Sequence, residues 1–369
     1  MLDVVVVGAG PAGLATAIAA RLEGLSAVVL EPRHPPLDKA CGEGLMPTAL
    51  AALGALGVDL DEHGAPIRGV RYVSDETVAD AEFPGGGVGR GVRRIDLHER
   101  LLERARALGV ELRFGERAVG LVPRGVATER GELLARFVVG ADGLLSAVRF
   151  WGGFAGRAAS RQRFGIRRHL AIAPVAERVE VVFGELAEAY LTPLGAAATG
   201  VALLWEGETR GFDDLLATRF PEWLRERLAG APVLSRDRGA GPFRQRTRGV
   251  ARGALALVGD AGGYVDALTG EGTAIAFQEA LALARAMRTG DLAAYERAST
   301  RIRRAPERVT RLALFMARRP RLRRRVVEEF DDDPNLFARV LGVLACGRSF
   351  ASIGIGSMAR FVTRIVLSS

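Results

Sequence analysis

Residues 4–13 read VVVVGAGPAG, and this stretch decides the fold. The four valines predict a buried parallel strand, and the segment 14–22 that follows the glycines predicts a helix. Gly8 permits the tight turn, Gly10 lets a pyrophosphate approach the backbone, and Gly13 lets helix and strand pack closely. The helix N-terminus then offers oriented N–H groups and a partial positive charge to a phosphate. These residues predict a Rossmann-like α/β domain that binds a dinucleotide.

An acidic residue follows at the spacing that such a site requires. A second predicted strand, 27–30, ends at Glu31, where a carboxylate can accept hydrogen bonds from ribose hydroxyls. Two later strands, 136–139 and 253–258, run into Gly140-Ala141-Asp142-Gly143 and Gly259-Asp260-Ala261-Gly262. An acid at the carboxyl end of each strand can reach ribitol or ribose while neighbouring N–H groups meet the pyrophosphate. Three returns of the chain to one long cofactor favour FAD over NAD.

These motifs resemble the flavoprotein hydroxylase superfamily, which also contains geranylgeranyl reductases and flavin-dependent halogenases. The resemblance lies in the GxGxxG with Glu31, in ADGLLSAVR at 141–149 and in GDAGGYVDALTGEG at 259–272. It implies that Asp260 touches the pyrophosphate and ribitol, and that a helix over 273–287 aims its positive end at the flavin ring. One departure is Ala267, where the family usually carries proline.

The resemblance implies residue roles from all three signatures and from the loop after the second strand. The predicted cofactor-binding residues are Gly8, Gly10, Pro11, Ala12, Gly13, Glu31, Pro32, Arg33, Lys39, Cys41, Gly42, Glu43, Arg94, Ala118, Ala141, Asp142, Gly143, Gly259, Asp260, Ala261, Gly270, Gly272 and Thr273. The candidate catalytic residues are Lys39, Gly270, Glu271 and Tyr190.

The loop after the second strand holds the only lysine of the chain, Lys39. Two interpretations of Lys39 are open, a flavin or substrate role and an ordinary exposed loop position. For Arg94, a position near the flavin and an ordinary surface role are both open. Cys41 could be an acidic thiol near the flavin, but a small residue filling space is the favoured interpretation. The second cysteine is distant, so no metal or disulfide motif exists. The histidines, predicted as surface or helix residues rather than ligands, are His34, His63, His98 and His169.

The reaction is predicted from the segment around Tyr190, YLTPLG. It resembles the strand-turn-strand that monooxygenases of the superfamily place over the flavin, with substrate contact or a satisfied sheet tyrosine both open for Tyr190. Geranylgeranyl reductases usually carry YxWxFP there, and halogenases carry WxWxIP. The resemblance therefore favours an FAD-dependent monooxygenase that hydroxylates an aromatic or polyketide-like, apolar small molecule with dioxygen through a flavin C4a-hydroperoxide. The alternative is a reductase of isoprenoid double bonds, and a halogenase is the remote third.

The monooxygenase hypothesis includes NADH or NADPH as a transient electron donor, and the lack of a second complete GxGxxG fits a nicotinamide that has no Rossmann site of its own. The predicted domains interleave along the chain. Residues 1–65, 94–160 and 245–292 form the FAD-binding domain, 66–93 and 161–244 form a β-sheet substrate domain, and 293–369 form a helical C-terminal region.

Composition limits the partners. The net charge is +8, but no motif or interleaved aromatic face indicates nucleic acid. The densest basic run, 318–325, is expected to be a solvated helix face, with peripheral contact to an anionic membrane as its alternative. The start, Met1-Leu2-Asp3, enters the first strand directly, so a cytoplasmic enzyme is expected.

Overall fold

The computed structural model describes residues 2–60, 63–157 and 162–354, together with residues 356, 358, 360, 361, 363 and 364. The strands are β1 (Leu2–Val7), β2 (Ala27–Glu31), β3 (Gly44–Leu45), β4 (Ala65–Ile67), β5 (Gly69–Ser74), β6 (Thr77–Glu82), β7 (Gly89–Gly91), β8 (Glu111–Phe114), β9 (Ala118–Val122), β10 (Gly125–Thr128), β11 (Gly131–Gly140), β12 (Arg163–Leu170), β13 (Arg178–Phe183), β14 (Ala187–Gly195), β15 (Ala198–Glu206), β16 (Arg238–Ala240), β17 (Ala251–Arg252) and β18 (Leu255–Leu257). The helices are α1 (Pro11–Leu22), α2 (Pro47–Ala55), α3 (Arg94–Ala107), α4 (Ala147–Trp151), α5 (Phe212–Arg219), α6 (Glu222–Leu228), α7 (Gly272–Thr289), α8 (Leu292–Ala317), α9 (Pro320–Asp332) and α10 (Pro334–Ala345). The predicted domain boundary between residues 160 and 161 lies outside the described residues, as does most of the chain after 354.

A parallel sheet carries the first signature. Its order is β18-β11-β1-β2-β8, with β17 antiparallel at one edge and the β9–β10 ribbon continuing from β11. The valines of β1 are central to this sheet and completely or almost completely buried, which is the environment that a continuous apolar run predicts. The carboxyl ends of β1, β2, β11 and β18 therefore meet along one edge, which brings the three glycine-acid signatures together.

The glycines of the first turn are required by close approach. Gly8 has φ +106°, and a Cβ there would lie 2.6 Å from the carbonyl oxygen of Ala141. A Cβ on Gly13 would lie 1.8 Å from the carbonyl oxygen of Gly8. At Gly10, by contrast, the nearest atom to a Cβ is an Arg94 guanidinium nitrogen at 3.8 Å, so this position faces open space. The turn is thus tight behind the backbone and open in front of it.

A second sheet of seven strands lies over that edge, in the order β16-β12-β15-β14-β13-β5-β6. A third, small sheet has the order β3-β7-β4. Helices α9 and α10 cover the β5–β6 end of the seven-stranded sheet, where Phe330 and Phe337 stack 4.5 Å apart in its core. The predicted fold class, a Rossmann-like α/β unit with an interleaved β-sheet and a helical C-terminal region, is confirmed.

Candidate functional site

A cavity of about 320 Å³ lies between the two large sheets. All three glycine-acid signatures, the loop after β2 and one face of the seven-stranded sheet contribute to its wall. The predicted site residues that line it are Gly8, Gly10, Pro11, Ala12, Glu31, Arg33, Lys39, Cys41, Gly42, Glu43, Arg94, Ala141, Asp142, Gly143, Tyr190, Asp260, Gly270, Gly272 and Thr273.

Six predicted site residues are not on this wall. Gly13 and Gly259 lie just behind it, packed in the backbone turns. Glu271 lines a separate, smaller pocket together with residues of α8. The remaining three residues, Pro32, Ala118 and Ala261, are absent from the wall; Ala118 begins β9 and Pro32 is exposed.

One end of the cavity is built for an anion. Arg94, the first residue of α3, is only 7% exposed, and its Nη1 has no hydrogen-bond partner among the described residues. Burial lowers the pKa of this guanidinium, which indicates a cation that lacks full compensation. It lies beside the open side of Gly10 and the N-terminus of α1, whose Ncap has no side-chain partner. A phosphate group fits this position, because it would satisfy the orphaned guanidinium nitrogen and the free N–H groups of the helix together.

The next group along this edge is Glu31, which ends β2 and is 4% exposed. Its carboxylate accepts hydrogen bonds from the backbone N–H of Ala9 at 3.2 Å and from Nε of Arg33 at 2.8 Å. His98 completes the support, because its Nε2 lies 3.0 Å from the carbonyl oxygen of Ala9 and burial lowers its pKa to about 4. A neutral imidazole that donates this hydrogen bond holds the glycine turn without adding charge.

Asp260 is presented by the short 3₁₀ turn Gly259–Gly262, and Lys39 faces it with Nζ 3.5 Å from Oδ2. The turn itself is held from behind by Glu279 of α7, which is completely buried. Its carboxylate accepts from the backbone N–H of Gly259 at 2.9 Å and pairs with Arg303 of α8 at 2.6 Å. Arg303 also donates to the carbonyl oxygens of Gly259 and Gly263, both at 2.7 Å. The loop conformation therefore depends on a buried ion pair that the motifs did not predict.

The middle signature is fixed in a similar way. Both oxygens of Asp142 are engaged, one by the hydroxyl of Ser146 at 2.5 Å and the other by the backbone N–H of Val148 at 3.1 Å. Arg149 donates to the carbonyl oxygens of Asp260 and Ala261, at 3.2 and 3.3 Å. Asp142 thus secures the start of α4, and Arg149 ties the second signature to the third.

The loop after β2 contacts the seven-stranded sheet through a buried polar network. Glu43, 3% exposed, lies 2.5 Å from Nε2 of His169 and accepts from the backbone N–H of Arg94 at 2.8 Å. Arg167 of β12, 2% exposed, donates to Asp38 at 2.5 Å, while its Nε has no partner among the described residues. Sequence reasoning missed Asp38 and Arg167, and the prediction that His169 is a surface or helix residue is wrong, because it is a buried strand residue.

Cys41 lies within this loop, and burial raises the pKa of its thiol, with Glu43 acting in the same direction. The alternative of an unusually acidic thiol beside Lys39 is therefore not supported. A protonated thiol that fills space agrees with the interpretation favoured from the sequence.

Strand register determines what the roof of the cavity presents. Tyr72 of β5 is directly opposite Val181, Val181 is opposite Tyr190, Tyr190 is opposite Ala202, and Ala202 is opposite Arg167. Directly opposed residues point to the same face of a sheet, so these five side chains form one row over the cavity. Neighbouring strands are about 4.8 Å apart, which separates Tyr72 from Tyr190, and Tyr190 from Arg167, by about 10 Å each. The small residues between them leave two compartments.

The compartment between Tyr190 and Tyr72 is apolar. Val70, Val179 and Val181 line its roof, and Leu341 and Leu344 of α10 close its end. Tyr190 donates to the carbonyl oxygen of Leu268 at 2.7 Å, whereas the hydroxyl of Tyr72 has no partner among the described residues. Burial raises the pKa of Tyr72 to about 12, so the hydroxyl stays protonated. A free hydroxyl in an apolar compartment is suited to one hydrogen bond with a bound molecule.

The loop beside this compartment, 266–272, is held by buried charges on the cavity-facing side of the seven-stranded sheet. Arg163 of β12 pairs with Asp266 at 2.8 Å and with Glu188 of β14 at 2.7 Å, all three buried. Burial raises the pKa of both carboxyl groups, and Arg163 opposes that rise. Glu271, 7% exposed, has an Oε1 without a partner among the described residues, and burial raises its pKa to about 8. Burial therefore favours the protonated form of Glu271 near neutral pH.

Across the described parts of the chain, no group of three or more His, Cys, Asp or Glu residues is arranged to hold a metal ion. No helix found there is both long enough and apolar enough to cross a membrane.

Comparison with known proteins agrees with this site. The model of the FAD binding domain family matches residues 1–182, just under half of the chain. A menaquinone reductase of Mycobacterium tuberculosis is 37% identical over 124 residues, which are 32% of this chain and 30% of that protein. A rifampicin monooxygenase of Streptomyces venezuelae is 34% identical over 168 residues, covering 40% of this chain and 33% of that protein. The chain thus matches about a third of the length of each of these relatives.

The whole fold has counterparts among solved structures. A flavoprotein/dehydrogenase from Cytophaga hutchinsonii superposes with a TM-score of 0.81 at 20% identity, covering 93% of this chain and 92% of that one. At this identity the likeness establishes the shared fold, which extends well beyond the segment matched in sequence.

Proposed function

We propose that this chain is an FAD-dependent monooxygenase that oxidises an apolar small molecule in the compartment between Tyr190 and Tyr72, and the match of residues 1–182 to the model of the FAD binding domain family supports the cofactor. The observation that carries the proposal is this compartment, which is apolar, closed by α10 and adjacent to the loop 266–272. We further propose that the interleaved segments predicted from the sequence have different roles. Residues 1–65, 94–160 and 245–292 bind FAD, and residues 66–93 and 161–244 bind the substrate.

In this proposal the nucleotide is held by residues at the sheet edge where the carboxyl ends of β1, β2, β11 and β18 meet. Arg94 and the N-terminus of α1 would bind the pyrophosphate, Glu31 would accept from the ribose, and Asp260 with Lys39 would hold the ribitol. FAD supplies the redox chemistry with dioxygen and electrons from NADH or NADPH. The backbone N–H groups at the start of α7 would face the flavin ring, where the helix terminus favours negative charge.

The chain itself contributes to turnover by binding the substrate and by excluding water from it. The valines of the roof and the leucines of α10 surround the substrate and keep the compartment dry, and Tyr72 orients one polar group of the substrate. No acid-base pair of the chain is assigned to the chemical step.

The second candidate is a reductase that saturates a double bond of an isoprenoid-like substrate. The 37% identity to a menaquinone reductase favours it, and the same apolar compartment would hold such a substrate. The two activities leave different products. A monooxygenase adds one oxygen atom to the substrate and consumes dioxygen, whereas a reductase adds two hydrogen atoms and works without dioxygen.

The test uses the purified, flavin-loaded chain with NADPH or NADH and a panel of aromatic, polyketide and isoprenoid quinone substrates. Oxygen uptake and product mass are measured in air and under anaerobic conditions, for the wild-type chain and for Tyr72→Phe. We expect oxygen-dependent product, with KM raised about tenfold by Tyr72→Phe because one hydrogen bond is lost. Product formed anaerobically would replace the monooxygenase with the reductase, and a chain that takes up no FAD would overturn both.

A further inference from the structure

The outer surface of α8 carries a continuous basic and apolar stripe, here called the α8 face. Its members recur at helical spacing, and all of them are exposed: Arg301, Arg304, Arg308, Arg311, Leu312 and Phe315. The opposite side of the helix is buried through Tyr295, Ser299, Thr310 and Leu314. At 100° per residue the six exposed positions span an arc of about 100°, so they form one surface.

The charge of the α8 face is not balanced within the described part of the protein. Arg301, Arg304 and Arg308 have no hydrogen-bond or ion-pair partner there. Among the described residues, Arg311 is the one arginine of the face that is paired, with Glu307 at 2.8 Å, and Glu296, the second carboxylate of α8, accepts from the backbone N–H groups of residues 250 and 251.

Further arginines adjoin this surface. Arg244 and Arg246 are exposed on the neighbouring segment, and no described residue pairs with either. Burial lowers the pKa of Arg244, and the charges of Arg246, Arg311 and Arg318 lower it further. Arg244 and Arg246 therefore add two positive charges, unpaired within the described chain, beside the α8 face, and such a cluster raises the potential locally and attracts an anionic surface.

Apolar side chains continue the same stripe. Leu312 is 65% exposed and Phe315 is 48% exposed, and Arg319 lies over the Phe315 ring at 3.6 Å. A nucleic acid would bind the arginines but would gain nothing from an exposed aliphatic leucine, whereas the headgroup region of an anionic membrane interacts favourably with both.

The densest basic run of the sequence, 318–325, is by comparison largely engaged within the protein. Arg318 pairs with Glu206, Arg323 is buried against Ser74 and the carbonyl oxygen of Gly184, and Arg324 pairs with Asp75. The available basic surface is therefore α8 rather than that run.

We propose that the α8 face is a docking surface for an anionic lipid membrane, with Arg301, Arg304 and Arg308 held at the headgroups and Leu312 and Phe315 inserted among them. This contact is peripheral and reversible. It brings the protein to the phase in which apolar molecules accumulate.

The test is co-sedimentation of the flavin-loaded chain with vesicles of phosphatidylcholine alone or of phosphatidylcholine and phosphatidylglycerol at about two to one. The variants are Arg304→Gln/Arg308→Gln and Leu312→Ser. Matched controls are Arg106→Gln/Arg236→Gln, which removes two exposed charges elsewhere, and Leu134→Ser, which removes an apolar side chain that is 51% exposed. Bound flavin absorbance reports that each variant is folded, and no turnover is needed.

The wild-type chain and both controls should bind the anionic vesicles at low salt and not the neutral ones. Loss of two charges should weaken partitioning about 25-fold, since each arginine contributes about fivefold, and Leu312→Ser should weaken it severalfold. Equal binding by Arg304→Gln/Arg308→Gln and the wild type would overturn the proposal. So would stronger binding to duplex DNA at the same ionic strength, unaffected by Leu312→Ser, which would assign the face to nucleic acid.

Discussion

Replacing Arg303 by methionine tests whether the buried ion pair behind the Gly259–Gly262 turn holds the site together. Methionine fills most of the volume of the arginine stem but removes every donor. Glu279 would keep two of its contacts, from Ser299 and from the N–H of Gly259, and would lose those from Arg303. The carbonyl oxygens of Gly259 and Gly263 would lose their donors as well.

The magnitude follows from the burial. Glu279 is 0% exposed, so removing its partner leaves a charge in a low-dielectric environment, which costs about 3–5 kcal/mol of the free energy of unfolding. Total stabilities are about 5–15 kcal/mol, so the loss is a large fraction of the whole. Arg303→Lys keeps the charge but cannot reach three acceptors at once, and it should fall between the wild type and Arg303→Met.

The assay is urea unfolding followed by circular dichroism, together with the Kd for FAD from flavin fluorescence. The double variant Arg303→Met/Glu279→Leu should be more stable than Arg303→Met alone, because it removes the orphaned charge. Arg285→Met, an exposed change on α7, is the control and should leave both quantities unchanged. If Arg303→Met stays within about 1 kcal/mol of the wild type, or if the double variant loses the sum of the two single changes, the ion pair does not have this role.

Two further changes test other parts of the site. Gly13→Ala should abolish FAD retention, because its Cβ would lie 1.8 Å from the Gly8 carbonyl oxygen. The control Gly54→Ala meets no atom within 4 Å and should retain FAD. Flavin absorbance of the purified variants is the measurement, and a yellow Gly13→Ala protein would refute the packing argument. Glu271→Gln should change the pH dependence of stability. The pKa of the Glu271 carboxyl is about 8 in the folded chain and about 4.5 in the unfolded chain, so the wild type loses a few kcal/mol of stability as the pH rises between these values. Gln cannot ionise, so denaturation at pH 5 and pH 8 should show this loss only in the wild type, and parallel pH profiles would contradict it.

The phosphate-binding edge could be predicted from the sequence because its requirements are local. The tight turn at Gly8, the close packing at Gly13 and the acid that ends β2 are each set by a few consecutive residues, and the structure has all three. The prediction that the glycine-acid signatures meet at one sheet edge also needed only the rule that parallel strands end together.

The residues that hold the site from behind could not be predicted in this way. Glu43 and His169 are 126 positions apart, and their contact exists only because the loop after β2 lies under β12. Arginine is so frequent in this chain that nothing in the sequence separates the buried Arg163 and Arg167 from exposed ones. For the same reason the densest basic run, 318–325, does not mark the most accessible charges, because several of its arginines are engaged within the protein.

The contacts that the sequence did not reveal share one physical purpose. Three segments line the cavity, 38–43, 259–263 and 266–271, and each is a loop or a single short 3₁₀ turn without the long hydrogen-bonded repeat of an α-helix or a sheet. Each is tied to a regular element by a buried charge: the first to Arg167 of β12, the second to Arg303 of α8, and the third to Arg163 of β12. Apolar packing would stabilise these loops comparably, but it has no preferred direction. A guanidinium with fixed donors sets the orientation of each carbonyl or carboxylate, and a site that must align three separate loops along one long cofactor depends on orientation more than on stability.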